Sequence, residues 1–132
     1  MIGLDTNVLV RYATQDDPKQ AAVAERIVGS LTAEAPGFVS MIAMVESVWV
    51  LRRLFEADAA SISKFVALLL DARELIVENS DVVRQALAAT HGREEFTDAL
   101  IALSGLAAGC EYTVTFDRRA GAVAGMRLAY GE

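Results

Sequence analysis

Four acidic side chains, Asp5, Glu46, Asp98 and Asp117, have the type and placement to do chemistry. Asp5 closes the opening apolar run Ile2-Gly3-Leu4. Asp117 closes the late run Tyr112-Thr113-Val114-Thr115-Phe116, and a helix-like pattern follows each. In open parallel α/β sheets, ligands bind beyond the carboxyl ends of the strands. Glu46 interrupts the apolar stretch from Met41 to Leu51. An ionised carboxylate in an apolar interior is costly unless it is paired or bound to metal. The alternative is a narrow polar face from Glu46 to Arg53. Asp98 follows Glu94 and Glu95 by about one helical turn, so these acids can share a face. Acids near a helix N-terminus are also stabilised by the helix dipole. Asp5 suits a helix cap, and Asn7 and Thr115 suit local turn bonds. Singly, each residue has such a structural reading. Jointly, the four are placed to converge at one end of one sheet.

Such a cluster makes sense around a hard divalent cation. Carboxylates at short range repel, and their pKa values rise unless something neutralises them. Mg2+ or Mn2+ prefers oxygen ligands, and Mg2+ usually retains waters and takes up substrate phosphate oxygens. A metal-bound water can attack a phosphodiester in line, with the cation stabilising the negative charge that develops. A metal thereby reconciles an acidic site with an anionic substrate.

The elements that must hold these residues alternate along the chain. A strand at Met1 to Leu4 precedes a short helix from about Thr6 to Ala13. Asp17 caps a helix with Pro18 at its first position. Phe38-Val39-Ser40 reads as a second strand, and Ser40 caps a helix running to about Phe55. Asp58 opens the next helix. Glu74 to Glu78 is a third strand, and Ser80 caps a helix that stops near Gly92. A further helix runs from about Glu95 to Ala108. Tyr112 to Phe116 is a fourth strand, Arg118 to Gly125 is helical or turn, and Met126 to Ala129 is a fifth strand at the sheet edge. Alternation of this kind predicts a mainly parallel sheet covered on both faces.

Composition narrows the classes. The 132 residues suit one domain, and 54 % hydrophobic content suffices for a core. No apolar run reaches the roughly 18 residues of a membrane span, and no secretory signal opens the chain. The expectation is a soluble, cytoplasmic protein. Net charge is −6, which argues against holding nucleic acid by bulk attraction. Ten of the twelve basic residues are arginine, the better bidentate partner for phosphate. The single cysteine, Cys110, excludes an internal disulfide and is expected to be buried. The single histidine, His91, excludes a two-histidine ribonuclease mechanism and reads as a helix-end residue beside Gly92. No phosphate loop, dinucleotide glycine motif or nucleophile elbow is present.

The segments LDTNVLVRY, SMIAMVESVWVL, EEFTDALIA and TFDRRA, in that order across nearly the whole chain, resemble the four signature regions of PIN-domain ribonucleases. More closely, they resemble VapC-type toxins of bacterial toxin–antitoxin pairs. The resemblance implies a single PIN domain over residues 1–132, a three-layer α/β/α sandwich around a mainly parallel five-stranded sheet, with the first and fourth strands adjacent. It implies that Asp5, Glu46, Asp98 and Asp117 hold Mg2+ (or Mn2+), and that Thr6, Asn7 and Thr115 support them by hydrogen bonds. Many relatives carry an aspartate three residues before the position of Asp98; here it is Glu95, whose longer side chain reaches the metal directly, through water, or not at all. Arg118 and Arg119 are placed to meet RNA phosphate.

The function implied is an Mg2+- or Mn2+-dependent endoribonuclease, the toxin of such a pair, held as a homodimer and blocked by a small antitoxin protein. Two alternatives stand beside it. One is a catalytically idle module that binds RNA or protein. The other is an aspartate-dependent phosphatase or phosphoacceptor domain using Asp5. Against the second, Asp5-Thr6-Asn7 lacks the Asp-x-Asp of a dehalogenase-like site, and no lysine follows Lys64.

Overall fold

The computed structural model describes residues 1–90 and 95–130. The expectations placed on His91, Gly92 and Glu94 lie outside the described residues. The chain separates into two compact units, Met1–Ser80 and Asp81–Glu132.

The first unit begins with β1 (Ile2–Gly3), α1 (Thr6–Thr14) and α2 (Pro18–Gly29). Asp17 accepts from the Gln20 N–H and Pro18 opens α2, the arrangement its sequence predicts. The α1–α2 corner is held by Arg11, whose Nε donates to Gln20 Oε1 at 2.7 Å and whose Nη1 lies 3.1 Å from Asp16 Oδ1. The Thr14 hydroxyl, first, and then Arg11 hold the Asp16 carboxyl below its ordinary value.

β2 (Gly37–Val39) follows, then α3 (Met41–Phe55), α4 (Ala59–Asp71) and β3 (Leu75–Val77). Gly37 is a close-approach residue: a Cβ there would stand 2.8 Å from the Leu31 side chain and 3.1 Å from those of Leu4 and Leu75. Ser40 Oγ accepts from the Ala43 N–H at 3.0 Å, and Glu78 Oε1 accepts from the Met41 N–H at 2.7 Å. Two of the orphan donors that begin α3 are thereby satisfied, one by the residue after β2 and one by the residue after β3. Asp58 does the same for α4 through the Ser61 N–H. The three strands form one parallel sheet in the order β1-β2-β3. Leu9, Met44, Val48, Ile62, Val66 and Leu69 are among its most buried side chains. They come from α1, α3 and α4 at helical spacing, which is what an apolar face turned to a core requires.

The second unit holds α5 (Ser80–Thr90), which starts at the unit boundary, then α6 (Phe96–Ala107), β4 (Thr113–Thr115), α7 (Arg118–Gly121) and β5 (Met126–Leu128). β4 and β5 pair in parallel. The five expected strands are present and parallel, but the expected sheet is not: among the described residues β1 pairs with β2, β2 with β3 and β4 with β5, as a set of three and a set of two, in place of a single five-stranded sheet with β1 beside β4. This is a helix-rich α/β fold.

Two local expectations need correction, for Ser80 and Cys110, and one open alternative, for Glu46, is decided. Ser80 is the first residue of α5 and not a cap before it. Of the two readings of Glu46, the polar face is the one observed: Glu46 is exposed, because helical spacing sets it on the outer face of α3 while Met44, Ser47, Val48 and Leu51 face inward. Cys110 is exposed. It follows Gly109, whose φ of +102° ends α6 in a left-handed turn. The Cys110 N–H bonds the Gly105 carbonyl and the Gly109 N–H bonds that of Leu106, the paired closure of a Schellman motif. A residue in that outer turn has no core to enter.

Candidate metal-binding acids

Asp5 occupies the N-cap of α1. Its carbonyl accepts from the Val8 and Leu9 N–H groups, yet its side chain makes no capping hydrogen bond. Asp17 and Asp58 hold the same position on their helices and both cap with the carboxylate. The Asp5 carboxylate is exposed and uncommitted to the helix.

The next residue, Thr6, is buried. Its hydroxyl donates to Glu46 Oε1 at 2.6 Å, a bond between side chains forty positions apart. Glu46 is thereby held at the start of α1, next to the residue that follows Asp5. Hydrogen bonds to an ionised acceptor are short and about twice as strong as neutral ones. Asn7, one residue further, is exposed and lines a cavity of about 330 Å³ with Val8, Arg11 and Val23.

In the second unit Asp98 is the third residue of α6, within the first turn, and is half-buried. Glu95 stands at the N-cap of the same helix without a side-chain capping bond. Its Oε2 is buried with no hydrogen-bond partner among the described residues, and its Oε1 lies 3.9 Å from Arg119 Nη2. That loose pair ties the start of α7 to the start of α6. A cavity of about 430 Å³ lies there, walled by Thr90, Ala99, Leu103 and Val123, with Glu95 and Arg119 as its charged groups. Asp117 caps α7: its Oδ1 accepts from the Arg119 N–H at 2.8 Å and from the Ala120 N–H at 3.5 Å. Thr115 Oγ1 in turn accepts from the Asp117 N–H at 3.1 Å, a local turn bond. Arg118 and Arg119 are exposed.

Each of the sequence-predicted residues thus has a defined place. Asp5, Thr6, Asn7 and Glu46 belong to the first unit; Glu95, Asp98, Thr115, Asp117, Arg118 and Arg119 belong to the second. The structure joins Glu46 to Thr6 and Glu95 to Arg119. Among the described residues, no group of three or more His, Cys, Asp or Glu side chains stands together as a metal cage. The donor chemistry is nonetheless one-sided. The predicted ligands offer carboxylate oxygen alone, which suits Mg2+ or Mn2+ and not a soft or borderline ion.

Sequence reasoning missed two features. Glu78 caps α3 across the sheet, which only the β2–β3 register brings about. Trp49 is 56 % exposed, and its place three residues after Glu46 was the available signal.

The sequence profile of the PIN domain family matches residues 2–126, a span that includes all four acids. No match was found among curated proteins. PIN domains typically have a metal-dependent nuclease fold, and the alternating strands, helices and strand-end acids described above are what the matched profile covers. The chain belongs to the PIN domain family.

Proposed function

We propose that this chain, working as a single PIN domain, is a metal-dependent endoribonuclease and the toxin of a toxin–antitoxin pair. The observation that carries the nuclease reading is the side chain at the start of α1. Asp5 holds a capping position without capping, and its neighbour Thr6 draws Glu46 to the same helix end. Neither carboxylate placement serves the helix. Both suit ligation, and membership of the PIN family supplies the context.

In this reading Asp5, Glu46, Asp98 and Asp117 hold Mg2+, with Mn2+ as a substitute. When bound, the cation neutralises these carboxylates and stabilises charge developing on the scissile phosphate. The chain's own residues do the rest. Thr6 fixes the Glu46 carboxylate. Asn7 and Thr115 each stand two residues from an acid, Asp5 and Asp117, and support it. Glu95, with one oxygen unbonded among the described residues, is a further acid available to a water or a ligand. Arg118 and Arg119 meet RNA phosphate; the pair between the exposed Arg119 and the half-buried Glu95 is long, at 3.9 Å, and leaves the guanidinium able to take an anion. The protein acts in the cytoplasm as a homodimer, and a cognate antitoxin protein covers the acids.

Purified protein should cut RNA with Mg2+ or Mn2+ and stop in chelator, and Asp98→Asn should remove cutting while leaving the circular dichroism spectrum unchanged. RNA binding without hydrolysis in any divalent metal would instead make this an idle binding module. Expression that halts growth, relieved by the product of an adjacent small reading frame, tests the toxin assignment.

A further inference from the structure

Along α3 the residues Ile42, Glu46, Trp49 and Arg53 recur at intervals of four, three and four, which places them in one narrow stripe. All four are exposed. Ile42 is 80 % and Trp49 56 % exposed, a large outlay of apolar surface on a helix whose opposite face is fully packed. The Arg53 guanidinium lies 5.8 Å from the centre of the Trp49 ring, within the range of a cation–π contact. The stripe therefore begins at an apolar side chain, passes a candidate ligating carboxylate, and ends in an aromatic ring carrying a positive charge. Trp49 is one turn from Glu46, and Arg53 lies about 10 Å along the axis.

We propose that Trp49 and Arg53 are the positioning residues for a single-stranded RNA substrate: Trp49 stacks on an unpaired base and Arg53 holds an adjacent phosphate, seating the strand beside Glu46. The substrate in this proposal rests on the nuclease reading. The stripe meets a requirement that the chain's charge imposes. With a net charge of −6, the protein cannot gather RNA by a general field, because counterion release needs clustered Lys and Arg. Base–aromatic stacking needs no net charge and is worth enough to hold a strand. It also selects for single strands, since bases within a duplex are already stacked on each other. A lone arginine beside the ring adds one phosphate contact and cation–π support. A second copy of the chain is the other occupant such a surface suits. The exposed ring with a guanidinium beside it offers a base a stacking face and its phosphate a cation, which favours a nucleic acid strand; Glu46 is itself anionic and contributes nothing to holding the strand.

The test uses the chain's single tryptophan as its own reporter. The full-length protein in chelator is titrated with a single-stranded RNA 12-mer of mixed sequence and, separately, with its duplex. The proposal expects saturable quenching of Trp49 emission by the single strand and much less by the duplex. Trp49→Ala should weaken single-strand binding by roughly ten-fold or more, and Trp49→Phe should restore most of it. Arg53→Gln should lower the slope of log Kd against log salt by about 0.7. Because the titration needs no cleavage, quenching by a protein inert in every metal would sustain the stacking proposal and sink the nuclease reading. Metal-dependent cutting with unquenched emission, or Trp49→Ala binding and cutting RNA like the parent, would overturn the proposal alone. Conversion of a dimer to a monomer by Trp49→Ala at unchanged RNA affinity per chain would give the stripe to a second copy and overturn it too.

Discussion

The Thr6 hydroxyl donates to the Glu46 carboxylate at 2.6 Å, joining the first turn of α1 to the middle of α3. Glu46 would otherwise be a solvent-facing side chain with freedom to rotate. One buried threonine fixes it at the helix end where Asp5 stands. This is the link between the fold of the first unit and its proposed chemistry.

Thr6→Val separates the two roles of that threonine. Valine fills the buried space but cannot donate, and Glu46, being exposed, turns to water. The stability cost should be small, about 1 kcal/mol. Metal-dependent RNA cutting should fall roughly ten-fold, the worth of one charge-assisted hydrogen bond, and Thr6→Ser should keep most of it. Urea unfolding and initial cleavage rates, measured on the same preparations, check both statements.

The start of α3 depends on Ser40. Removing its oxygen in Ser40→Ala leaves the Ala43 N–H without its partner. A loss of about 1 kcal/mol is expected, read as a lower urea midpoint at unchanged slope. Glu78 still serves the Met41 N–H, so the helix should persist and the far-ultraviolet spectrum should not change.

Asp58 gives a pH signature. The Ser61 backbone N–H, first, and the Ser61 hydroxyl hold its carboxyl below the ordinary value of 3.8. A carboxylate whose folded value is depressed stabilises the fold above its unfolded value. That contribution is lost as pH falls through the folded value. The difference in urea midpoint between the parent and Asp58→Ala should therefore be constant near neutrality and shrink below about pH 4. A difference that grows on acidification would contradict the sign.

Gly37 is where β2 passes closest to its neighbours. Alanine would press on Leu31, Leu4 and Leu75 at 2.8 to 3.1 Å. These are leucine ends and can shift, but three at once in a packed layer should cost about 1 to 2 kcal/mol. Thermal unfolding checks it, with a fall in Tm of roughly 4 to 8 °C expected.

The sequence made the helix starts legible. Asp17, Ser40 and Asp58 cap where they should, because capping depends on a residue type and the few positions after it. Strand existence was equally legible; strand length was not. Each strand spans two or three residues; β1, β3, β4 and β5 are shorter than their expected segments, and β2 keeps its length but begins one residue earlier, at Gly37. For Glu46 the apolar neighbours suggest an interior and the spacing to Arg53 a polar face; the helical period, which puts 42, 46, 49 and 53 outside, decides for the face. Cys110 was misplaced by its residue type, while the Gly109 turn decided its exposure. The resemblance implies that Thr6 hydrogen-bonds one of the acids; that its partner is Glu46, forty positions away, is decided by tertiary packing alone. The acids themselves were visible as residues at strand ends, and their family order was visible in the four short segments.

The central claim is that Asp5, Glu46, Asp98 and Asp117 serve one divalent cation. Calorimetric titration of Mn2+ into the parent protein and into Asp5→Asn, Glu46→Gln, Asp98→Asn and Asp117→Asn tests it most directly. The account predicts that each single substitution weakens Mn2+ binding at least ten-fold, and that Glu46→Gln combined with Asp98→Asn is far from additive, as expected of groups sharing one partner. Binding that is unchanged in the single variants, or losses that simply add, would contradict it.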